Sequence, residues 1–183
     1  MKIHNKIVVL TAGVLLAGLF SFKILSSAWK VNKQNAKISW AMPNGKHDGT
    51  IGGLNATVYF DPLQFEKGLI TATVEVKTLD AKNEKLNAHL QTADFFDVEK
   101  YPTITFSAEK ITKTETGFLA TGKLALRDSV HTIAVPFNLV TGEKESTIVG
   151  TMDFFAGDYG IMKKSESGAD RVVVTIEVPL TKE

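Results

Sequence analysis

Apolar and polar residues alternate with a period of two over most of the chain after residue 28. This pattern predicts β-strands with one dry face, because successive side chains of a strand point to opposite sides of the sheet. The apolar members of the runs are Ile38, Trp40 and Met42; Ala56, Val58 and Phe60; Ile70, Ala72, Val74 and Val76; Ile104, Phe106 and Ala108; Phe118, Ala120, Gly122, Leu124 and Leu126; Ile133, Val135, Phe137 and Leu139; Ile148, Gly150, Met152 and Phe154; Val172, Val174, Ile176, Val178 and Leu180. With residues 47–51 added, the pattern predicts about nine strand segments.

Short turn signals separate the runs, such as Asp61-Pro62 and Thr141-Gly142, and short connections favour antiparallel neighbours. Two stretches differ from the rest. Residues 80–91 place Leu86 and Leu90 four apart, which predicts a short helix. Residues 157–170 are polar and contain glycine, which predicts a surface loop.

The predicted strands cannot leave their dry faces open to water, and too little helix is predicted to cover them. We therefore expect a single all-β domain, an antiparallel barrel of about eight strands with one short helix between strands. A barrel of this size is either filled by its own side chains or hollow enough for a ligand. Small inward residues favour a hollow interior, but they also suit a strongly curved sheet. These residues are Ala72, Ala108, Ala120, Gly122 and Gly150.

The first 28 residues have the layout of an export signal. Lys2 and Lys6 form a basic start, residues 7–20 are apolar and uncharged, and Ser26 and Ala28 are small residues suited to signal peptidase. The alternative is a permanent anchor, but a membrane-spanning helix needs about 20 apolar residues. We expect cleavage after Ala28, a domain over residues 29–183, and a periplasmic or secreted protein.

Composition excludes several classes of site. The chain has no cysteine, which removes disulfides, thiol nucleophiles and Cys-rich zinc sites. Its net charge of +1 gives no electrostatic case for nucleic acid. None of the histidines has a neighbour at metal-ligand spacing, and no nucleophile-elbow pattern occurs. We expect no metal, no catalytic residue and no cofactor.

One segment of twenty residues carries a family resemblance. Residues 89–108 contain a His-Leu pair, then Asp-Phe-Phe-Asp, then Tyr-Pro and a strand with Ile and Phe before Ser. This block resembles the hallmark of the YceI-like family of polyisoprenoid-binding proteins, and residues 122–127 resemble the family's next motif. The order of elements is similar over nearly all of residues 29–182.

The resemblance implies a lipocalin-like barrel, exported to the periplasm, that encloses an isoprenoid chain such as a quinone tail. It also implies that no enzymatic activity is to be expected. The chain departs from the family pattern at three positions. Asp128 and Val130 stand where the family usually has Gly and Thr, and Ala156 stands where it usually has an arginine.

We expect the inward strand residues and two adjacent phenylalanines to form a ligand-binding cavity wall. Phe95 and Phe96 either plug the core or form a lid over the ligand, and Trp40 and Phe106 are either core residues or ligand contacts. The full predicted set is Trp40, Val58, Phe60, Ala72, Val74, Phe95, Phe96, Ile104, Phe106, Ala120, Gly122, Leu124, Val135, Phe137, Met152 and Phe154.

The expected function is to bind, and to carry or store, a long-chain isoprenoid or similar apolar lipid. Transient membrane contact and a homodimer are compatible with this interpretation. Two alternatives remain open: an exported β-sandwich that binds another protein, and a weak lipid-modifying enzyme. If the cavity exists, Ala72→Phe or Gly122→Leu should fill it and displace the ligand without unfolding the protein.

Overall fold

The computed structural model describes residues 28–43, 45–143 and 145–182. The predicted export signal therefore lies outside the described residues, except for Ala28. The strands of the described part are β1 (Ala28–Val31), β2 (Lys37–Ala41), β3 (Asp48–Thr50), β4 (Asn55–Tyr59), β5 (Leu69–Glu75), β6 (Thr103–Lys113), β7 (Phe118–Leu126), β8 (Ser129–Thr141), β9 (Ser146–Phe155) and β10 (Arg171–Lys182). The α-helix of this part is α1 (Glu84–Leu90), and short 3₁₀ turns lie at Phe65–Lys67, Val76–Thr78 and Ala156–Tyr159.

Eight antiparallel strands form a closed ring, in the order β1, β4, β5, β6, β7, β8, β9 and β10. The ring closes where β1 pairs with the last residues of β10, with Val31 opposite Leu180. The first half of β10 pairs instead with β2, whose Trp40 lies opposite Val174. The predicted single-barrel fold is therefore confirmed, because a closed ring leaves the inward faces of all eight strands to meet one another.

The β2–β3 hairpin extends the wall at one end of the barrel. Thr50 of β3 exchanges two backbone hydrogen bonds with Asp80, both with an N···O distance of 2.9 Å. Gly49 permits this contact, because a Cβ atom at this position would overlap the Asp80 carbonyl oxygen and lie 2.9 Å from Cζ2 of Trp40. The hairpin is thus tied to the segment that leads into α1.

A β-bulge in β6 changes which residues point inward. The register with β7 shifts between Ala108 and Lys110, so one extra residue enters the strand. Phe106 and Leu124 face each other before the bulge, and Ile111 and Ala120 after it. Since the parity changes by one, the inward face passes from even to odd residue numbers along this strand.

The predicted helix is present. The Asn83 side chain accepts a hydrogen bond from Leu86 N at 3.1 Å, which caps the N-terminus of α1. The prediction for residues 157–170 is wrong in part, because this segment does not lie wholly on the surface. Tyr159, Ile161 and Asp170 are buried, and Tyr159 and Ile161 pack on the end of the barrel with Leu124 and Leu126.

Aromatic side chains close one end of the barrel. Phe60 packs edge-on against Phe118 and Phe137, with ring centroids 4.9 and 5.2 Å apart. The Trp29 indole nitrogen donates a hydrogen bond to the Phe60 carbonyl oxygen at 2.8 Å. We call Trp29, Phe60, Phe118 and Phe137 the plug. Within the described ranges, no helix is long and apolar enough to cross a bilayer.

Candidate functional site

A cavity of about 420 Å³ occupies the barrel between the plug and the opposite end. This volume lies within the range of about 300–1,000 Å³ that is usual for ligand pockets. Of the 35 residues that line the cavity, only Trp40, His47 and His89 have a polar atom in the side chain. The described wall therefore contains no carboxylate, no ammonium, no guanidinium, no hydroxyl and no amide side chain.

The strand residues of the wall explain why the interior is hollow. Ala72, Ala120 and Gly150 contribute short or absent side chains, so the barrel axis is left unfilled at their level. Several larger inward residues, including Ile70, Phe106 and Met152, remain only partly buried although they face the interior. A filled core would enclose such side chains completely, as it does Phe60 in the plug, which is 1% exposed.

Side chains from α1 and from loops complete the cavity at the end opposite the plug, which we call the mouth. Exposed members of this group mark where the cavity opens to solvent, because His47, His89 and Met162 are accessible from outside. The cavity-lining residues of the mouth are Met42, His47, Leu86, His89, Leu90, Phe95, Phe96, Ala156, Ile161 and Met162.

Phe95 and Phe96 both reach the cavity because they lie in a tight turn rather than on a strand. Phe96 N donates to Leu90 O at 3.0 Å, and Asp97 N donates to Thr92 O at 2.9 Å. Asp97 has a φ of 48°, which reverses the chain here. Both rings also pack against the buried cluster at this end, so they serve as core residues and as cavity wall.

Arg127 connects two segments of the mouth. Its guanidinium group donates to the Gly160 carbonyl oxygen at 2.9 Å and to the Ala93 carbonyl oxygen at 3.5 Å. Arg127 itself has a left-handed φ of 56°, an uncommon backbone conformation for a residue other than glycine. The side chain therefore links the turn that carries Phe95 to the segment that carries Ile161.

Tyr159 lies beside the mouth, outside the cavity wall. Its ring packs edge-on against Phe154 and His131, with centroids 5.4 and 4.8 Å away. The hydroxyl group is buried and has no hydrogen-bond partner among the described residues. Burial raises the pKa of Tyr159 to about 12, with the Asp158 carboxylate adding to the effect.

Fourteen of the sixteen residues predicted for the cavity wall line the cavity, and whether they contact a ligand stays a prediction. Strand parity placed most of them, because every second residue of a barrel strand faces inward. The fourteen are Trp40, Val58, Ala72, Val74, Phe95, Phe96, Ile104, Phe106, Ala120, Leu124, Val135, Phe137, Met152 and Phe154.

Phe60 and Gly122 do not line the cavity, which corrects the prediction for both. Phe60 points inward but lies in the plug. Gly122 faces the β6 bulge, where a Cβ atom would overlap the Ser107 carbonyl oxygen and lie 2.7 Å from the Ala108 Cα. Gly122 thus serves close strand packing and leaves no spare volume.

Strand parity missed the helix and loop contributions to the mouth. The helical spacing of Leu86 and Leu90 was a usable signal, since both lie on one face of α1 and both line the cavity. No strand pattern marked His47, whereas His89 belongs to the His-Leu pair that opens the block of residues 89–108. The strand residues that line the cavity include no histidine, and both imidazoles reach the cavity from outside the strands.

The mouth is apolar at the position where the family usually has an arginine, because Ala156 lines the cavity and is 2% exposed. Among the described residues, no group of three or more His, Cys, Asp or Glu side chains is arranged to hold a metal ion.

Comparison with known proteins identifies the fold and the family. The sequence model of the YceI-like domain matches residues 29–181. A UPF0312 protein of Photorhabdus laumondii is 26% identical over 120 residues, which cover 64% of this chain and 62% of the relative. A Vibrio cholerae UPF0312 protein matches over 58% of its length, so the chain spans about 60% of the length of these two curated relatives.

Two solved structures have the same fold. Burkholderia cenocepacia BcnA superposes with a TM-score of 0.74 at 23% identity, covering 82% of this chain and 99% of BcnA. A polyisoprenoid binding domain from Saccharophagus degradans, implicated in plant cell wall breakdown, superposes with a TM-score of 0.63 at 10% identity, covering 86% of this chain and 99% of that domain.

Proposed function

This chain belongs to the YceI-like domain family, and from that premise we propose that it carries or stores a long-chain isoprenoid or a similar apolar lipid inside the barrel, without catalysing a reaction. The observation that supports the proposal is the wall of the cavity, on which only three of 35 residues have a polar side-chain atom. The polyisoprenoid binding domain of S. degradans has the same fold, which is consistent with this ligand class.

Burial of hydrocarbon supplies the binding free energy in this proposal. Removing one methylene from water is worth about 0.8 kcal/mol, so one five-carbon isoprene unit contributes roughly 3–4 kcal/mol. The same tail is equally well solvated in a bilayer, so transfer from membrane to protein has little net driving force. The lipid is therefore expected to copurify with the protein and to exchange with membranes.

The two alternatives fare differently. The β-sandwich alternative is wrong, because the strands close into one ring around a hollow interior. A lipid-modifying enzyme would need an acid or base beside the reacting atoms of the lipid. The described wall has no carboxylate, and its two imidazoles, His47 and His89, lie at the solvent end of the cavity rather than along the bound tail. Binding without chemistry is the function that this wall supports best.

We also propose export to the periplasm or beyond, with removal of residues 1–28. The family match begins at residue 29, which agrees with this boundary. Ala28 pairs with Tyr59 at the edge of β1, so cleavage after Ala28 removes one strand pair and leaves that of Trp29 with Val58. The N-terminal sequence of the exported protein tests the site, and an N-terminus other than Trp29 contradicts it.

Extraction of lipid from purified, folded protein tests the main proposal directly. The expected result is one apolar molecule per chain, identified by mass spectrometry after solvent extraction. Folded protein that was never exposed to detergent, yet yields no apolar molecule near stoichiometric amount, contradicts the proposal.

Ala72→Phe is expected to fill the cavity at its middle and to lower the yield of extracted lipid, because Ala72 lines the cavity. Thr71→Phe adds the same ring to the neighbouring residue of β5, which lies outside the cavity lining, and serves as the matched control. Equal lipid yields from the two variants, with unfolding transitions like that of the wild type, contradict cavity binding.

A further inference from the structure

The three polar side chains of the cavity wall differ in their exposure to solvent. The indole nitrogen of Trp40 is enclosed by protein atoms and has no hydrogen-bond partner among the described residues. His47 and His89 are exposed residues that also line the cavity. Hence the imidazoles of His47 and His89 are the polar wall side chains of the described residues that remain open to solvent, and both belong to the mouth.

The two imidazoles are presented by segments that the structure holds together. His47 directly precedes β3, and the neighbouring Asp48 forms an ion pair with Lys82, just before α1. The Thr50–Asp80 bridge ties the same two segments. His89 lies in the last turn of α1.

The His89 imidazole ring packs 4.4 Å from the Phe95 ring, between centroids, at an interplanar angle of 59°. It therefore lies next to the apolar wall while remaining open to solvent. The plug occupies the other end of the barrel, so polar recognition by wall side chains is confined to the mouth.

The chemistry of these groups limits what they can recognise. An imidazole donates a hydrogen bond through at least one ring nitrogen and carries positive charge when protonated. The described wall offers no carboxylate that could pair with a cationic group. An oxygen-bearing neutral or anionic group can accept a hydrogen bond from each imidazole in either protonation state. An ammonium group can pair only with an unprotonated ring nitrogen and meets no carboxylate in the described wall.

We propose that His47 and His89 form a head-group site, so that the ligand is an amphiphile with one apolar tail and one oxygen-bearing neutral or anionic head. The tail lies along the barrel axis towards the plug, and the head lies between the two imidazoles. This inference rests on the proposed function, because it assigns the orientation and the head-group class of the same bound lipid.

Competition with three ligands that share one tail tests the site. The exported protein, residues 29–183, is loaded with the fluorescent apolar probe N-phenyl-1-naphthylamine. The probe is then displaced by farnesyl phosphate, farnesol or farnesylamine. We expect the phosphate and the alcohol to displace the probe at concentrations about tenfold lower than the amine, because both oxygen-bearing heads can accept hydrogen bonds from the two imidazoles.

The double variant His47→Leu, His89→Leu keeps an apolar wall but loses both imidazoles. It is expected to reduce the tenfold preference to less than about threefold, with all three ligands compared on the same variant so that any change in probe affinity cancels. A second double variant, His47→Gln, His89→Gln, keeps hydrogen-bond donors and is expected to retain part of the preference. His131→Leu is the matched control, because His131 lies at the same end of the barrel but contacts Asp158 and Tyr159 outside the cavity wall.

The outcomes separate the two proposals. An unchanged head-group preference in the His47→Leu, His89→Leu variant overturns the head-group site while leaving lipid binding intact. Equal displacement by all three ligands in the wild type also overturns the head-group site. Failure of the wild type to bind the probe or any of the three ligands overturns the proposed function itself.

Discussion

Gly122 has no side chain because the neighbouring strand occupies the space. A Cβ atom there would overlap the Ser107 carbonyl oxygen, and backbone cannot rotate away as the end of a long side chain can. We therefore expect Gly122→Leu to destabilise the protein by about 3 kcal/mol or more, at the upper end of overpacking effects. This reverses the expectation from sequence that the substitution preserves the fold. Urea unfolding of the two proteins measures the difference.

Gly52→Ala is the matched control for Gly122→Leu. A Cβ atom on Gly52 would make an ordinary contact of 3.5 Å with the Thr78 hydroxyl oxygen. The free energy of unfolding is expected to change by less than about 1 kcal/mol. If Gly122→Leu unfolds at the same urea concentration as this control, β6 leaves room for a side chain at residue 122, which contradicts the prediction.

The buried hydroxyl group of Tyr159 leads to a prediction about alkaline pH. Its pKa is raised to about 12 in the folded protein, above the value near 10 of an unfolded chain. The folded state therefore holds this proton more tightly, and the resulting stability is lost as pH rises from about 10 through 12. Because the hydroxyl has no partner among the described residues, Tyr159→Phe is expected to raise the free energy of unfolding by about 1 kcal/mol at pH 7.

Unfolding midpoints of wild type and Tyr159→Phe between pH 7 and 11.5 check this prediction. The advantage of the Phe variant is expected to grow above pH 10, because the wild type alone must keep this phenol protonated. Tyr59→Phe removes a phenol that is 38% exposed and serves as the control. A lower stability of Tyr159→Phe at pH 7 contradicts the prediction and implies that the hydroxyl has a partner in solution.

Residue parity predicted which side chains point inward but not how far along the barrel axis they lie. Val58 lies in β4 and Phe60 directly follows that strand with the same parity, yet Val58 lines the cavity and Phe60 belongs to the plug. Alternation gives the face on which a side chain lies but not its depth along the barrel axis. The boundary between plug and cavity is therefore set by contacts between distant strands. Those contacts include the packing of Phe60 against Phe118 and Phe137.

At the scale of elements, the docking of α1 depends on an exposed carboxylate. The Asn87 side chain donates to Asp80 Oδ1 at 2.9 Å, and Lys82 N donates to the same oxygen at 2.8 Å. These hydrogen bonds, first that of Asn87, lower the pKa of Asp80, and the Lys82 charge adds to the effect. The carboxylate form therefore helps to hold α1 against the segment that precedes it.

This arrangement predicts that α1 loosens in acid. A lowered folded-state pKa gives stability that is complete above about pH 4 and is lost as pH falls through the folded pKa. Hydrogen exchange at residues 84–91 is expected to accelerate below pH 4 more in the wild type than in Asp80→Asn, relative to the intrinsic rates. Asp94→Asn changes another exposed carboxylate at the same end and is expected to behave as the wild type. Identical pH profiles for wild type and Asp80→Asn contradict a role for Asp80.

Strands and loops differ in how far the sequence predicts them. The apolar and polar pattern of a strand repeats every two residues, so a run such as residues 133–139 can be recognised as a strand without tertiary information. The segment after β9 has no such repeat. Its Tyr159 and Ile161 are buried through contacts with Leu124 and Leu126 on a distant part of the chain, which composition cannot reveal. The prediction that residues 157–170 form a surface loop was wrong in part for this reason.

At the scale of the whole molecule, sequence alone left open whether the barrel is filled or hollow, because this depends on summed volumes across eight strands. Small residues were a correct but incomplete guide. Ala72, Ala120 and Gly150 line the cavity, whereas Gly122 serves the contact at the β6 bulge and Ala108, its partner there, is also absent from the lining. The same residue type thus has two physical roles, and only the pairing of strands tells them apart.

The division of the barrel into plug and mouth predicts that stability and ligand exchange respond to different residues. Phe60→Ala removes a fully buried ring from the plug and is expected to lower the free energy of unfolding by about 3–5 kcal/mol. Phe95→Ala removes a partly buried ring from the mouth, where solvent can fill the space, so a smaller loss below about 2 kcal/mol is expected.

Release of N-phenyl-1-naphthylamine, followed by stopped-flow fluorescence with farnesol in excess, measures the other half of this prediction. Phe95→Ala is expected to release the probe several times faster than the wild type, because its partly buried ring lines the cavity at the mouth. Phe60→Ala is expected to release it at nearly the wild-type rate under conditions where the variant is fully folded, because the plug lies away from the exit. The reverse order of release rates would mean that lipid passes through the plugged end, and a barrel open at both ends would then be required.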